Sequence, residues 1–192
     1  MSLTLESSPL IESFKLRAEA VSAQVERVST KQLAMDLVVK LLQKEDVCDH
    51  PGSHAVWAES AMIGAGERRA LEAAVPGLKF EVTRELAADA KVGISQMDWA
   101  LANTGTVVQT ADSIDQRLVS TLPPVHIALV STQAILPDLP AVIAKVDPRK
   151  SAYLAFITGP SRTADIERVL TIGVHGPGRL IVILVDDLEV AA

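Results

Sequence analysis

A single cysteine, Cys48, stands in a chain of 192 residues, so no internal disulfide closes and no iron–sulfur cluster is held by this chain alone. Aromatic side chains make up only 3%, which removes the row of rings on which single-stranded bases stack. Basic residues are outnumbered, 18 against 24 acidic ones, for a net charge of -6, and that balance gives no electrostatic basis for nucleic-acid binding. No uncharged apolar stretch reaches the roughly 18 residues of a membrane span. The opening MSLTLESSPLIESFK lacks the basic segment and apolar run of a secretory leader. Also missing are the GxSxG elbow, the Walker A loop, HExxH and CxxC, and GAGERR at 64–69 lacks the third glycine of a dinucleotide fingerprint. The expectation is a protein of the reducing cytoplasm, without membrane insertion, nucleic-acid partner, metal or bound cofactor.

What is present is aliphatic. Hydrophobic residues make up 48% of the chain, enough for a chain of this size to bury roughly 70% of its unfolded surface in one core. Ile11, Phe14, Ala18, Val21, Val25 and Val28 step by three and four, the face of one amphipathic helix. Ser29 or Thr30 stops it and caps a second helix carrying Leu33, Leu37, Val38, Leu41 and Leu42. Residues 1–50 therefore read as a helical N-terminal extension, and residues 51–192 as an α/β domain. In that domain short apolar runs alternate with helical patterns: AVWA at 55–58, KFEV at 79–82, KVGIS at 91–95, TVVQT at 106–110, HIALV at 126–130, YLAFIT at 153–158 and LIVILV at 180–185. Helices fall around 67–74, 84–90, 139–145 and from Thr163. Continuous apolar strands such as LIVILV are buried on both faces, which predicts a mainly parallel sheet between helix layers.

Three clusters carry candidate chemistry. In YLAFITGPSRTADIERVL a buried strand runs into Gly159 and Pro160, then Ser161, Arg162 and Thr163, and a helix starts there. A strand, a glycine turn and a helix start place unpaired backbone N–H groups at the carboxyl edge of the sheet, where α/β folds bind anions. Arg162 adds a planar fork for a carboxylate or phosphate. The bland reading stands beside it: Ser161 or Thr163 caps the helix, and Asp165 neutralises its dipole. The second cluster is GVHGPG at 173–178, where His175 and Gly176 form a loop able to approach a ligand, or Gly173 caps a helix. The third is NTGT, in which Asn103, Thr104, Gly105 and Thr106 make either an oxyanion cradle or an ordinary turn. Cys48, Asp49, His50 and His54 share no standard zinc spacing, and Pro123-Pro124 before His126 reads as a stiff entry to a strand. By themselves these residues name an anion-friendly edge and no reaction.

Taken together, LANTGTVV (101–108), RLVSTLPPVHIALV (117–130), ITGPSRTADIE (157–167) and GVHGPGRLIVILV (173–185) resemble the LUD domain, in particular the lactate utilization protein C family. The motifs lie between about residues 92 and 187; the first 90 residues are similar in general character only. The resemblance implies a three-layer α/β/α fold like that of the NagB/RpiA/CoA-transferase group. It also implies a part in oxidation of L-lactate to pyruvate beside two iron–sulfur partner proteins. Family members often carry an acidic residue where this chain has Asn103. A non-redox subunit or accessory is therefore the leading expectation, with a stand-alone enzyme of CoA-transferase or isomerase type and an organic-acid-binding module as alternatives. Covalent acyl transfer needs a carboxylate nucleophile, and the only glutamate near the motifs is Glu167.

Overall fold

The computed structural model describes residues 8–147, 149–164 and 170–188. In chain order the elements are α1 (Pro9–Ala20), β1 (Gln24–Val28), α2 (Lys31–Lys44), β2 (Ala55–Trp57), α3 (Ala65–Ala74), β3 (Leu78–Lys79), α4 (Arg84–Asp89), β4 (Val92–Gln96), β5 (Trp99–Leu101) and β6 (Thr106–Thr110). These are followed by α5 (Ile114–Thr121), β7 (Val125–Ser131), a 3-10 turn at Thr132–Ala134, β8 (Ile135–Leu136), α6 (Leu139–Ile143), β9 (Leu154–Ile157), β10 (Arg162–Ala164), β11 (Leu170–Ile172) and β12 (Arg179–Val185).

Six strands form one sheet in the order β1-β12-β7-β4-β2-β3, parallel at every pairing. The interior strand β12 shows why an unbroken apolar run belongs there. Ile181, Ile183 and Val185 enter the core under α2 and α3, while Leu180, Val182 and Leu184 enter the core on the opposite face with Phe14 and Ala18 of α1. Each such side chain, fully buried, contributes roughly 1.5–3 kcal/mol. Helix starts follow local chemistry: Thr30 Oγ1 accepts from Leu33 N to cap α2, and Thr83 Oγ1 accepts from Leu86 N to cap α4.

The α/β class with a mainly parallel sheet is as expected, but three segments differ. The helix expected over residues 11–28 ends at Ala20; the backbone turns at Ser22, with φ +72, and β1 joins the edge of the parallel sheet beside β12. Val25 and Val28 are β-branched and fit an extended strand as well as a helical stripe. Second, TVVQT and YLAFIT form β6 and β9 of a separate four-stranded sheet, order β8-β5-β6-β9, in which β6 runs antiparallel to both neighbours. Strand β9 is an edge and only partly covered, with Phe156 42% exposed. Third, the helix expected from Thr163 is replaced by an antiparallel hairpin in which Arg162, Thr163 and Ala164 of β10 face Ile172, Thr171 and Leu170 of β11. The Ile166 and Val169 stripe on which the helix reading rested lies outside the described residues. Among the described residues no helix is long and apolar enough to cross a membrane.

Candidate functional site

Two backbone lacings bring the glycine-rich segments together. Ser161 N donates to Pro177 O, and Gly173 N donates to Ser161 O, so the loop after β9 and the loop before β12 are bound edge to edge. Pro124 O in turn accepts from Gly178 N and Arg179 N, which ties the second loop to the entry of β7. Pro123-Pro124 thus stiffens a strand entry and also anchors the loop that carries His175.

Between these loops lies a cavity of about 340 Å3, lined by Thr158, Ser161, Arg162, His175, Gly176 and His126 together with Phe156, Ile157 and Leu180 among others. Its size falls at the lower end of the range for small-molecule sites. His126 and Leu180 are register partners near the starts of β7 and β12, so the cavity sits at the amino edge of the parallel sheet. This corrects the expected carboxyl edge: β9, which delivers Gly159 to Arg162, belongs to the other sheet, and its carboxyl end meets the amino ends of β7 and β12.

The candidate residues divide into three groups. Gly159, Ser161, Arg162, His175 and Gly176 line the cavity. Thr106 reaches it indirectly: its Oγ1 lies 2.7 Å from Thr104 Oγ1 and 2.8 Å from Thr158 Oγ1, and Thr158 lines the wall. Asn103 and Thr104 are exposed and outside the lining, and Thr163 sits within β10 opposite Thr171. Asp165 and Glu167 lie outside the described residues. Because Thr163 is in a strand, no helix N-terminus among the described residues points at the cavity from this loop, and side chains rather than a backbone dipole must attract an anion there.

Helix α1 explains the glycines. Gly105 has φ +69, and a Cβ there would overlap Ala18 N and Cα; Gly159 has φ +73, and a Cβ there would lie 2.5 Å from Val21 O. Both motifs therefore rest directly on the last turn of α1. Arg162 docks on the same turn, with Nη2 donating to Val21 O and to Ser22 Oγ at 2.8 Å each. Arg162→Ala is expected to weaken affinity for a small carboxylate by roughly tenfold or more while lowering stability by only about 1 kcal/mol, with Arg162→Lys rescuing in part because a point charge replaces a planar fork. Paired ligand titration and urea unfolding check this; stability loss with unchanged affinity would reduce Arg162 to an anchor for the loop.

The residue that sequence reasoning passed over is His126. It is 0% exposed on β7 and lines the cavity, its Nε2 lies 2.8 Å from Ser95 Oγ, and its Nδ1 has no hydrogen-bond partner. Burial pushes the imidazole pKa down to about 4, so it is neutral near pH 7. The available signal was a lone polar side chain heading the apolar run HIALV. Elsewhere, His54 of the Cys48 loop is held between Asp49 and Asp89 at 3.4 and 3.3 Å. Among the described residues no cluster of three or more His, Cys, Asp or Glu has metal-binding geometry.

A sequence model of the LUD domain matches residues 11–185, extending the likeness into the N-terminal half, where the motifs are less distinctive. The chain is 33% identical over 187 residues to lactate utilization protein C of Geobacillus sp. (strain WCH70), covering 88% of this chain and 78% of that protein. It is 40% identical over 115 residues to lactate utilization protein C of Exiguobacterium sp. (strain ATCC BAA-1283 / AT1b), covering 56% of this chain and 50% of that one. The crystal structure of a DUF162 family protein from Deinococcus radiodurans superposes with a TM-score of 0.59 at 22% identity, over 92% of this chain and 96% of its own, and shares the fold. With a family match spanning most of its length and both glycine-rich motifs meeting at one cavity, the chain belongs to the LUD domain family.

Proposed function

We propose that this protein acts in lactate utilization as a non-redox component that binds a small organic acid anion and works with iron–sulfur partner proteins in oxidation of L-lactate to pyruvate. One observation carries the ligand class. In a chain with more acidic than basic residues, the cavity is lined by Arg162, His175 and His126, and no Asp or Glu is among its described lining residues. Cation, imidazole and the hydroxyls of Thr158 and Ser161 suit an oxyacid. The names of the relatives supply the metabolic setting. The electrons of lactate oxidation then pass through the partners, since Cys48 is the one thiol in this chain. The lining offers covalent acyl transfer no carboxylate among the described residues, so the organic-acid site is favoured over a CoA-transferase-type reaction.

Calorimetric titration with L-lactate, pyruvate, phosphate and coenzyme A tests the site. Binding of lactate or pyruvate, weakened in Arg162→Ala, is the expected result; coenzyme A binding with no response to either acid would overturn it. The system-level claim is tested by reconstitution. Omitting this chain from the iron–sulfur proteins should slow lactate-dependent dye reduction, and an unchanged rate would sink the subunit role.

A further inference from the structure

We propose that His126 is the buried hydrogen-bond donor that reads the oxygen on the 2-carbon of the lactate-like or pyruvate-like acid proposed above, and that Ser95 is its positioning residue. This rests on the reading of the cavity as an oxyacid site and goes beyond it by naming the group that meets the ligand away from its charge-pairing end.

The placement comes from the sheet. His126 pairs in register with Leu180 of β12 on one side and Gly93 of β4 on the other, so one of its lateral neighbours has no side chain. Ser95, two residues along β4 on the same face, brings its Oγ to Nε2. The Ser95 hydroxyl has one proton and two acceptors in reach: His126 Nε2 at 2.8 Å and Met97 Sδ at 3.5 Å. An imidazole nitrogen is the stronger acceptor and the shorter contact, so the hydroxyl donates to Nε2. The single N–H proton of the neutral ring then sits on Nδ1, the atom that has no partner in the protein. Buried donors of this kind are satisfied by protein, water or ligand, and His126 is among the residues that line the cavity.

A neutral N–H donor accepts no proton from a carboxylic acid and repels no cation; it discriminates by finding an oxygen. Arg162 supplies the charge for a carboxylate at the exposed side of the same cavity, leaving the neutral His126 for the adjacent carbonyl or hydroxyl oxygen. That two-point pattern fits a 2-oxo or 2-hydroxy acid better than a simple carboxylate, which lacks the second oxygen. A site built around a buried donor rejects analogues that leave the donor unpaired.

The test uses the whole protein labelled with 15N histidine. The chain has four histidines, assigned by single His→Gln variants. The expected spectrum shows His126 as the neutral Nδ1–H form, with its Nδ1 resonance moving on addition of pyruvate or L-lactate and not on addition of acetate. In Ser95→Ala the two tautomers should mix, and His126→Gln should weaken pyruvate binding by roughly 10- to 100-fold. If pyruvate binds and shifts His175 while His126 stays still, the assignment to His126 is wrong and the cavity reading survives. If acetate and phosphate move Nδ1 as much as pyruvate does, the two-point ligand class is wrong. If none of these anions binds wild-type protein, both the assignment and the reading beneath it fall. Because the decisive spectra are recorded on wild type, a variant that does not fold leaves the test intact.

Discussion

Gly105→Ala is expected to lower stability by about 3 kcal/mol, combining a left-handed backbone forced on a residue with a Cβ and overpacking against α1. The added methyl would overlap Ala18 N and Cα, which are main-chain atoms of a helix and cannot swing aside as a long side chain does. Gly105 is buried and outside the cavity lining. Pyruvate affinity of the folded variant should therefore remain within a few-fold of wild type, and the loss should appear as a lower midpoint of urea unfolding. The opposite pattern, unchanged stability with lost affinity, would restore the oxyanion-cradle reading of the NTGT turn. Much of what looks like a ligand motif here is in this account the imprint of α1 on the second sheet.

Acidification is expected to cost the fold about 3 kcal/mol through His126 alone. The folded-state pKa is about 4 against an ordinary 6.5. As pH falls from 6.5 to 4 the unfolded chain therefore takes up a proton that the folded chain refuses. Stability contributed by this group is fully present above pH 6.5, declines through that window and is flat below 4. Four carboxylates overlay it, one of them Glu67, which its bonds to Lys31 and to the Gly64 backbone hold below the ordinary range. Lys79 bonds to Asp49, and Arg149 to Asp147, holding both below the ordinary carboxylate range, so their contributions fade at more acid pH. Asp98, raised chiefly by burial, acts in the opposite direction. The difference between wild type and His126→Gln isolates the histidine: the variant should lose most of the slope between pH 6.5 and 4, and parallel pH profiles would show that His126 is not the buried neutral group described.

How far the sequence could be read depended on whether a segment's partner was local. The strands β7 and β12 were plain because their short apolar runs are rich in Ile and Val and are preceded by Pro124 and Gly178, which favours a doubly buried strand over a helix segment. Caps such as Thr30 were plain because the bond closes within three residues. By contrast, Val25 and Val28 satisfy both a helical and an extended pattern, and only pairing with β12 decides between them. TVVQT and YLAFIT were found as strands but assigned to the wrong sheet, since nothing local distinguishes a parallel strand from an antiparallel edge. That error placed the site at the carboxyl edge. Each of the two loops was legible as a candidate because glycine-rich turns beside buried strands are where chain segments and ligands approach closely, but their edge-to-edge contact rests on backbone bonds that no local pattern shows. His126 escaped because the two prolines before it gave a sufficient structural reason for the segment, while the significance of its free nitrogen appears only once Ser95 is placed beside the other.

The central claim is that the loops at 159–162 and 173–178 enclose a site for a small oxyacid at the amino edge of the parallel sheet. A crystal structure of the protein grown with saturating pyruvate tests it most directly. The account predicts planar density between these loops, its carboxylate toward Arg162 and its keto oxygen within hydrogen-bond distance of His126 Nδ1. Pyruvate bound instead at the carboxyl edge, beyond Gln96, Ser131 and Val185, would contradict it, as would a cavity that holds only water at a concentration where calorimetry shows the acid to be bound.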